Sequence, residues 1–183
     1  MKKHAHVFPV LTVAILYVLL FTSCGAVRIL STEADPVFRL SDYETFAFTE
    51  MTIDPSIDPV YVKRIDWIKQ DIAEYLTDRG LKSSAGNSGL LINIGIVVEE
   101  KIQTRETSIR EAPVYMGQRN YSWQSEEVEL GRYHEGTATV DLIDRQKNVL
   151  MWQGVAQSII EKKDANSKKN IAIGVQKLFA ELP

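Results

Sequence analysis

GTATVDLIDRQKNVLMWQGVAQSII, residues 136–160, reads as a β-hairpin. In its first half Ala138, Val140 and Leu142 alternate with Thr137, Thr139 and Asp141. That two-residue period is the mark of a strand with one apolar face and one polar face. DRQKN, residues 144–148, supplies the turn, with Asp144 placed to shape it through its side chain. VLMWQGVAQSII, residues 149–160, is apolar on both faces over its first half, which belongs inside a sheet. The hairpin runs from about residue 136 to 161. Trp152 and Gly154 sit two apart on it, a large ring beside a position without a side chain, which is a packing arrangement.

Outward from the hairpin, LLINIGIVVEE (90–100) alternates in the same way. Leu90, Ile92, Ile94, Ile96 and Val98 share one face, with Asn93 and Gly95 on the other. A helix precedes it. Asp58 is a capping residue and Pro59 suits the first helical position. Tyr61, Ile65, Ile68, Ile72, Tyr75 and Leu76 recur at helical spacing, and Gly80 ends the run. Phe46 and Phe48 alternate with Thr45, Ala47 and Thr49, a half-buried strand. Val27, Ile29 and Ser31 alternate with Arg28 and Leu30, a weaker one. At the far end Ile171, Val175, Leu178 and Leu182, with Phe179 beside them, predict a closing helix capped by Ser167 or Asn166 and ended by Pro183. Between Thr104 and Arg132 the pattern breaks down, predicting a long loop with Tyr115, Tyr121 and Trp123 spaced through it. A strand around YSWQSEEVEL (121–130) is the alternative there. The order of elements predicts an α+β fold: a two-layer domain, mostly antiparallel sheet, packed by two amphipathic helices.

The N-terminus, MKKHAHVFPVLTVAILYVLLFTSC, has a basic head, an apolar run from Val7 to Phe21 and small residues Thr22 and Ser23 before Cys24. This is the plan of a signal peptide, with an apolar run shorter than the ~20 residues of a membrane-spanning helix. With Cys24 following directly, the stretch resembles a bacterial lipobox, with Phe21 where the usual pattern has Leu. The resemblance implies cleavage before Cys24, a diacylglycerol on its thiol and an acyl chain on its new amine. The expected organisation is a cleaved lipoprotein signal peptide over 1–23 and a single α+β lipoprotein domain over 24–183. Several acyl chains make such an anchor effectively permanent. Cleavage removes two lysines and no acid, so 21 Lys and Arg fall to 19 against 24 Asp and Glu, and net charge moves from −3 to −5. That balance argues against nucleic acid as a partner and against attachment to a membrane by charge. Cys24 is the single cysteine, so with its thiol acylated the domain is expected to have no disulfide, Cys-ligated metal or Cys nucleophile.

DPVFRLSDYETFAF (35–48), GTATVDLIDRQKNVLMWQGVA (136–156) and IAIGVQKLFAELP (171–183) together resemble three motifs of one family. These are an acidic extended opening with Tyr-x-Thr, a hairpin ending in Trp-x-Gly, and a closing helix ending in Pro. With the lipobox, the chain resembles bacterial lipoproteins of the domain-of-unknown-function family 4136. The resemblance implies an envelope lipoprotein and brings no catalytic residues with it.

No catalytic set is recognisable, and no cofactor or metal is called for. His134 is the one histidine beyond residue 23, and Glu135 beside it faces the other side of a strand. GNSGLL (86–91) precedes a strand where a phosphate loop opens a helix, so it reads as a turn. Glu126, Glu127 and Glu129 read as a solvated acidic edge. Trp67 lies off the main stripe of the first helix, and with Tyr115, Tyr121 and Trp123 it is the candidate surface for a partner. The expected function is a non-enzymatic binding or structural module, lipid-anchored through Cys24 to the outer membrane of a Gram-negative cell, facing the periplasm and contacting an envelope protein. The rival readings are an envelope hydrolase using Asp141 and Glu135, and a carrier of an apolar ligand between helices and sheet.

Overall fold

A computed structural model describes residues 27–51, 58–84, 86, 88–107 and 124–183. The elements run β1 (Val27–Ala34), a 3-10 turn (Leu40–Asp42), β2 (Thr45–Phe48), α1 (Pro59–Asp78), β3 (Lys82–Ser83), β4 (Leu90–Glu106), β5 (Glu127–Asp144), β6 (Val149–Ile159) and α2 (Asp164–Phe179). They form the expected α+β fold, one six-stranded, mostly antiparallel open sheet with two helices.

Local chemistry sets the ends of α1. The Asp58 carboxylate accepts from Val60 N at 2.9 Å, and Pro59 occupies the first turn. At the other end Gly80 takes φ +94°. Gly80 N donates to Thr77 O and Leu81 N to Leu76 O, the paired bonds of a left-handed helix stop. Ile65, Ile72 and Leu76 form the buried stripe.

The strand order is β1-β6-β5-β4-β2-β3. β6, β5 and β4 are neighbours and antiparallel, and β1 adds to β6 antiparallel. β2 joins the far side of β4 in parallel, with α1 as the crossover between them. Both helices contribute to one core on one face of the sheet, where Phe46, Leu90, Ile92, Leu142 and Trp152 meet Ile72, Leu76, Leu178 and Phe179. Tyr75 Oη donates to Phe179 O at 2.9 Å and ties the helices to each other.

The opposite sheet face carries a polar ladder. Thr49 Oγ1 donates to Asn93 Oδ1, Asn93 Nδ2 to Asp141 Oδ2 at 3.1 Å, and Gln153 Nε2 to Asp141 Oδ1 at 2.8 Å. Side chains from β4, β5 and β6 thus satisfy one another across adjacent strands.

Three expectations change. The predicted loop 104–132 is largely strand at both ends: β4 runs to Glu106 and β5 begins at Glu127, as the alternative strand reading had it over its last residues. The two stay paired from Glu99↔Glu135 to Glu106↔Glu127, with a bulge between Gln103 and Thr104. α2 starts at Asp164 with Lys163 as its cap, so Ser167 and Asn166 lie inside its first turn. It stops at Phe179, before Leu182, which still packs against the core. Finally, β6 takes the mid-sheet place expected of it, between β1 and β5, but its apolar run is not buried by simple alternation. A register shift opposite Leu142 and Ile143 places Met151 and Trp152 inward together, while Val149 and Leu150 are exposed.

Candidate functional site

Part of the helix-facing side of the central hairpin is made of small residues. Gly136 and Ala138 on β5 stand opposite Ser158 and Ala156 on β6. Ile68 of α1 and Ile171 of α2 pack above this strip, and Gly174 of α2 brings its backbone close, with a Cβ there 3.2 Å from Val27. Short side chains below and a helix pair above leave a cleft of about 130 Å³. Its floor is buried at Val140, Ala156, Val175 and Leu178. Tyr61, Val98 and Ile160, all half-buried, also line it. Its lining is overwhelmingly apolar.

Arg64 is the cation on this lining. Its Nη2 donates to Glu161 O at 2.7 Å, and its guanidinium carbon lies 5.6 Å from the Tyr61 ring centroid, in cation–π range. Its Nε is buried and meets no acceptor among the described residues. The Ser167 hydroxyl donates to the same Glu161 carbonyl at 3.0 Å. Glu161 O therefore ties α1 to the start of α2, and Glu161 is on the cleft lining too. Nearby, Lys63 Nζ meets Asp164 Oδ2 at 2.6 Å. That hydrogen bond, aided by the charges of Lys63 and Arg64, holds the Asp164 carboxyl below its usual range.

The candidate acid–base residues do not converge, as strand alternation predicts for His134 and Glu135. His134 pairs with Glu100 and Glu135 with Glu99, so the two occupy successive, oppositely facing strand positions. Asp141 is held by the amides of Asn93 and Gln153. Neither the apolar cleft nor a polar one beside Arg39 and Arg79 is lined by Asp141 or Glu135. Asp144 does shape its turn: it accepts from Gln146 N, Lys147 N and the Tyr43 hydroxyl. The Lys147 backbone bond leads in holding its carboxyl low. Burial first, then the bond to Asp144, pushes the Tyr43 hydroxyl up to about 12. Glu129 pairs with Arg132, which also reaches Glu100, an exposed charged edge as expected. Among the described residues no group of His, Cys, Asp and Glu is placed to hold a metal, and no helix is long and apolar enough to cross a membrane.

Of the candidate partner residues, Trp67 is half-buried on α1 with Lys63 Nζ 5.1 Å from its ring centroid. Cys24, Tyr115, Tyr121 and Trp123 lie outside the described residues. An apolar-ligand site between helices and sheet is among the readings of the sequence, but no motif marks the residues that line it, though a signal for them is present. Tyr61, Arg64 and Ile68 are spaced i, i+3, i+7 on one helix stripe, and small residues recur on matched faces at 136, 138, 154 and 156.

The family profile described as a domain of unknown function, DUF4136, matches residues 30–183. The chain belongs to the DUF4136 family. A comparison with curated proteins finds no match. Among solved structures, a PDZ domain protein from Parabacteroides distasonis is similar at 15% identity and a TM-score of 0.52, covering 93% of this chain and 40% of that one. This chain thus spans about two fifths of that protein's length, and the likeness is one of fold. The PelC dodecamer from Paraburkholderia phytofirmans aligns at 11% identity with a TM-score of 0.43, over 83% of this chain and 96% of that one. A neuraminyllactose-binding hemagglutinin homolog from Helicobacter pylori aligns at 12% identity with a TM-score of 0.38, over 74% and 78%.

Proposed function

We propose that this DUF4136 protein is a lipid-anchored, non-enzymatic module of the bacterial envelope that binds an apolar ligand between its helices and its sheet. The anchor is Cys24, acylated after cleavage of residues 1–23. Gly25 follows it, where the retention signal of enteric inner-membrane lipoproteins has Asp, so the proposed site is the outer membrane, facing the periplasm. The observation that carries the binding reading is the cleft of about 130 Å³ floored by Val140, Ala156, Val175 and Leu178. Ligand sites are concave and apolar with a few placed polar groups, and Arg64 is such a group here.

Two measurements test this. Cells fed labelled palmitate should label the wild type and not Cys24→Ala, and density-gradient fractionation should place the labelled protein with outer-membrane markers. Native mass spectrometry of the full-length protein released from detergent should show a bound small molecule. Unlabelled wild type removes the anchor, and a spectrum of bare protein removes the carrier. Docking of an envelope protein through the aromatic residues is the second reading, favoured by the half-exposed ring of Trp67. In-cell crosslinking that captures one partner with the wild type, and loses it with Trp67→Ala, would select it.

A further inference from the structure

Building on the cleft reading, we propose that the ligand is a medium-chain alkyl carboxylate, its chain on the apolar floor and its carboxylate on Arg64. The chain length follows from the volume. A cavity of about 150 Å³ holds a benzene-sized, six-carbon body, so about 130 Å³ takes roughly six carbons, with the rest of a short chain in the open mouth. The head group follows from Arg64. Its Nη2 is committed to Glu161 O, while its buried Nε has no protein acceptor among the described residues. Nε is closed off from the open space of the cleft, but among the described residues Arg64 is the one cation on an otherwise apolar lining, and a carboxylate matches the outer fork of its guanidinium. Charge selects the carboxylate over a phosphate ester. Among the described residues Arg64 is the one cation on the lining, and Asp164, within its electrostatic reach, is already paired with Lys63. A single negative charge balances it, whereas a phosphate monoester carries about −1.5 to −2.

The test uses the full-length protein in a zwitterionic detergent, with alanine methyl groups labelled for NMR. Ala138 and Ala156 report on the cleft directly because both line it. The probes are octanoate, 1-octanol and octyl phosphate. Octanoate is expected to shift both methyl signals and to bind roughly tenfold or more tighter than octanol. Arg64→Met should bring the two to equal affinity, Arg64→Lys should restore part of the preference, and Ala138→Leu should abolish both by filling the floor. Ile171→Phe, which narrows the cleft from α2, serves the same purpose if Ala138→Leu does not fold. Equal binding of octanoate and octanol by the wild type overturns the carboxylate assignment and leaves the cleft reading standing. Tighter binding of octyl phosphate than octanoate overturns it in favour of a phosphate ester. Unmoved Ala138 and Ala156 signals with all three probes overturn the inference and the cleft reading together.

Discussion

The indole of Trp152 fills the space that a side chain on Gly154 would need. A Cβ on Gly154 would lie 2.3 Å from Trp152 Cη2 and 2.7 Å from Leu178 Cδ1. The ring has little room to withdraw, being 1% exposed and packed on Phe179 with centroids 5.5 Å apart. Gly154→Ala is therefore an overpacking substitution, with an expected cost at the upper end of about 1–3 kcal/mol. For a domain of this size that lowers the melting temperature by roughly 5–10 °C. Denaturant unfolding measures it, and an unchanged midpoint would show that the ring can move aside.

Asp144 joins two parts of the chain that are far apart in sequence. Its carboxylate accepts from two backbone amides of its own turn and from the Tyr43 hydroxyl at 3.1 Å. Removing it strands all three donors, so Asp144→Ala should cost about 2–3 kcal/mol at pH 7. Because its folded pKa is lowered, this stability is present above the unfolded carboxyl pKa of about 3.9 and is lost as pH falls through the folded value. Wild type and Asp144→Ala should thus converge in acid. Spectroscopic titration gives a second readout: one tyrosine near 12 in the wild type, returning toward its ordinary value in the variant. A gap that persists unchanged below pH 3 would contradict the assignment.

Asp71 acts with the opposite sign. Burial first, then the charge of Glu74, raises its pKa, with Lys168 opposing, and its Oδ2 is buried without a partner among the described residues. A raised carboxyl pKa means that folding favours the protonated form, so stability falls as pH rises from the unfolded value through the folded one. Asp71→Asn should raise the melting temperature at pH 7 by about 1 °C, a small effect because the group is partly solvated. The gain should vanish near pH 3. A variant less stable than wild type at pH 7 would show that the charge has a favourable role.

Features written in local chemistry were legible in the sequence. The Asp58 cap, Pro59, the Ile65–Ile72–Leu76 stripe and Gly80 each act within one or two turns, and α1 follows them. The 144–148 turn is equally local, with Asn148 at φ 53° closing it. The parallel seat of β2 beside β4 was not legible, because TFAF carries no mark of its neighbour; the choice is made by packing across the whole sheet. The outer ends of β4 and β5 escaped for a different reason. Among the described residues no helix packs on them, so no apolar face is needed there, and Glu99, Lys101, Gln103 and Arg105 pair through backbone register fixed further in. α2 begins early because Lys163 caps it without a side-chain bond, leaving no residue to announce the start. The cleft was hidden because it consists of side chains that are small. Gly136, Ala138 and Ala156 read one at a time as ordinary packing positions, and only the register lines them up.

The outer ends of β4 and β5 form a two-stranded arm. Beyond Glu99 and Glu135 the two strands project by roughly 25 Å, at about 3.4 Å per residue. None of the buried core residues comes from this part. Ile102 and Leu130 are 52% and 53% exposed, and its ion pairs, such as Arg132 with Glu100 and Glu129, are exposed as well. Exposed pairs of this kind hold little stability, and a two-stranded ribbon whose faces no other described element covers is marginal alone. Replacing residues 101–133 with Asn-Gly, the favoured two-residue hairpin turn, joins Glu100 to His134, partners in the native register. The shortened protein should keep its melting temperature within about 2 °C and fold faster, because it closes a much smaller loop to pair β4 with β5. Its cleft keeps Val98 and Gly136, so ligand binding should survive as well. A fall of about 10 °C or more on calorimetry would mean that the arm stabilises the core, and loss of ligand with normal stability would place part of the site on the arm.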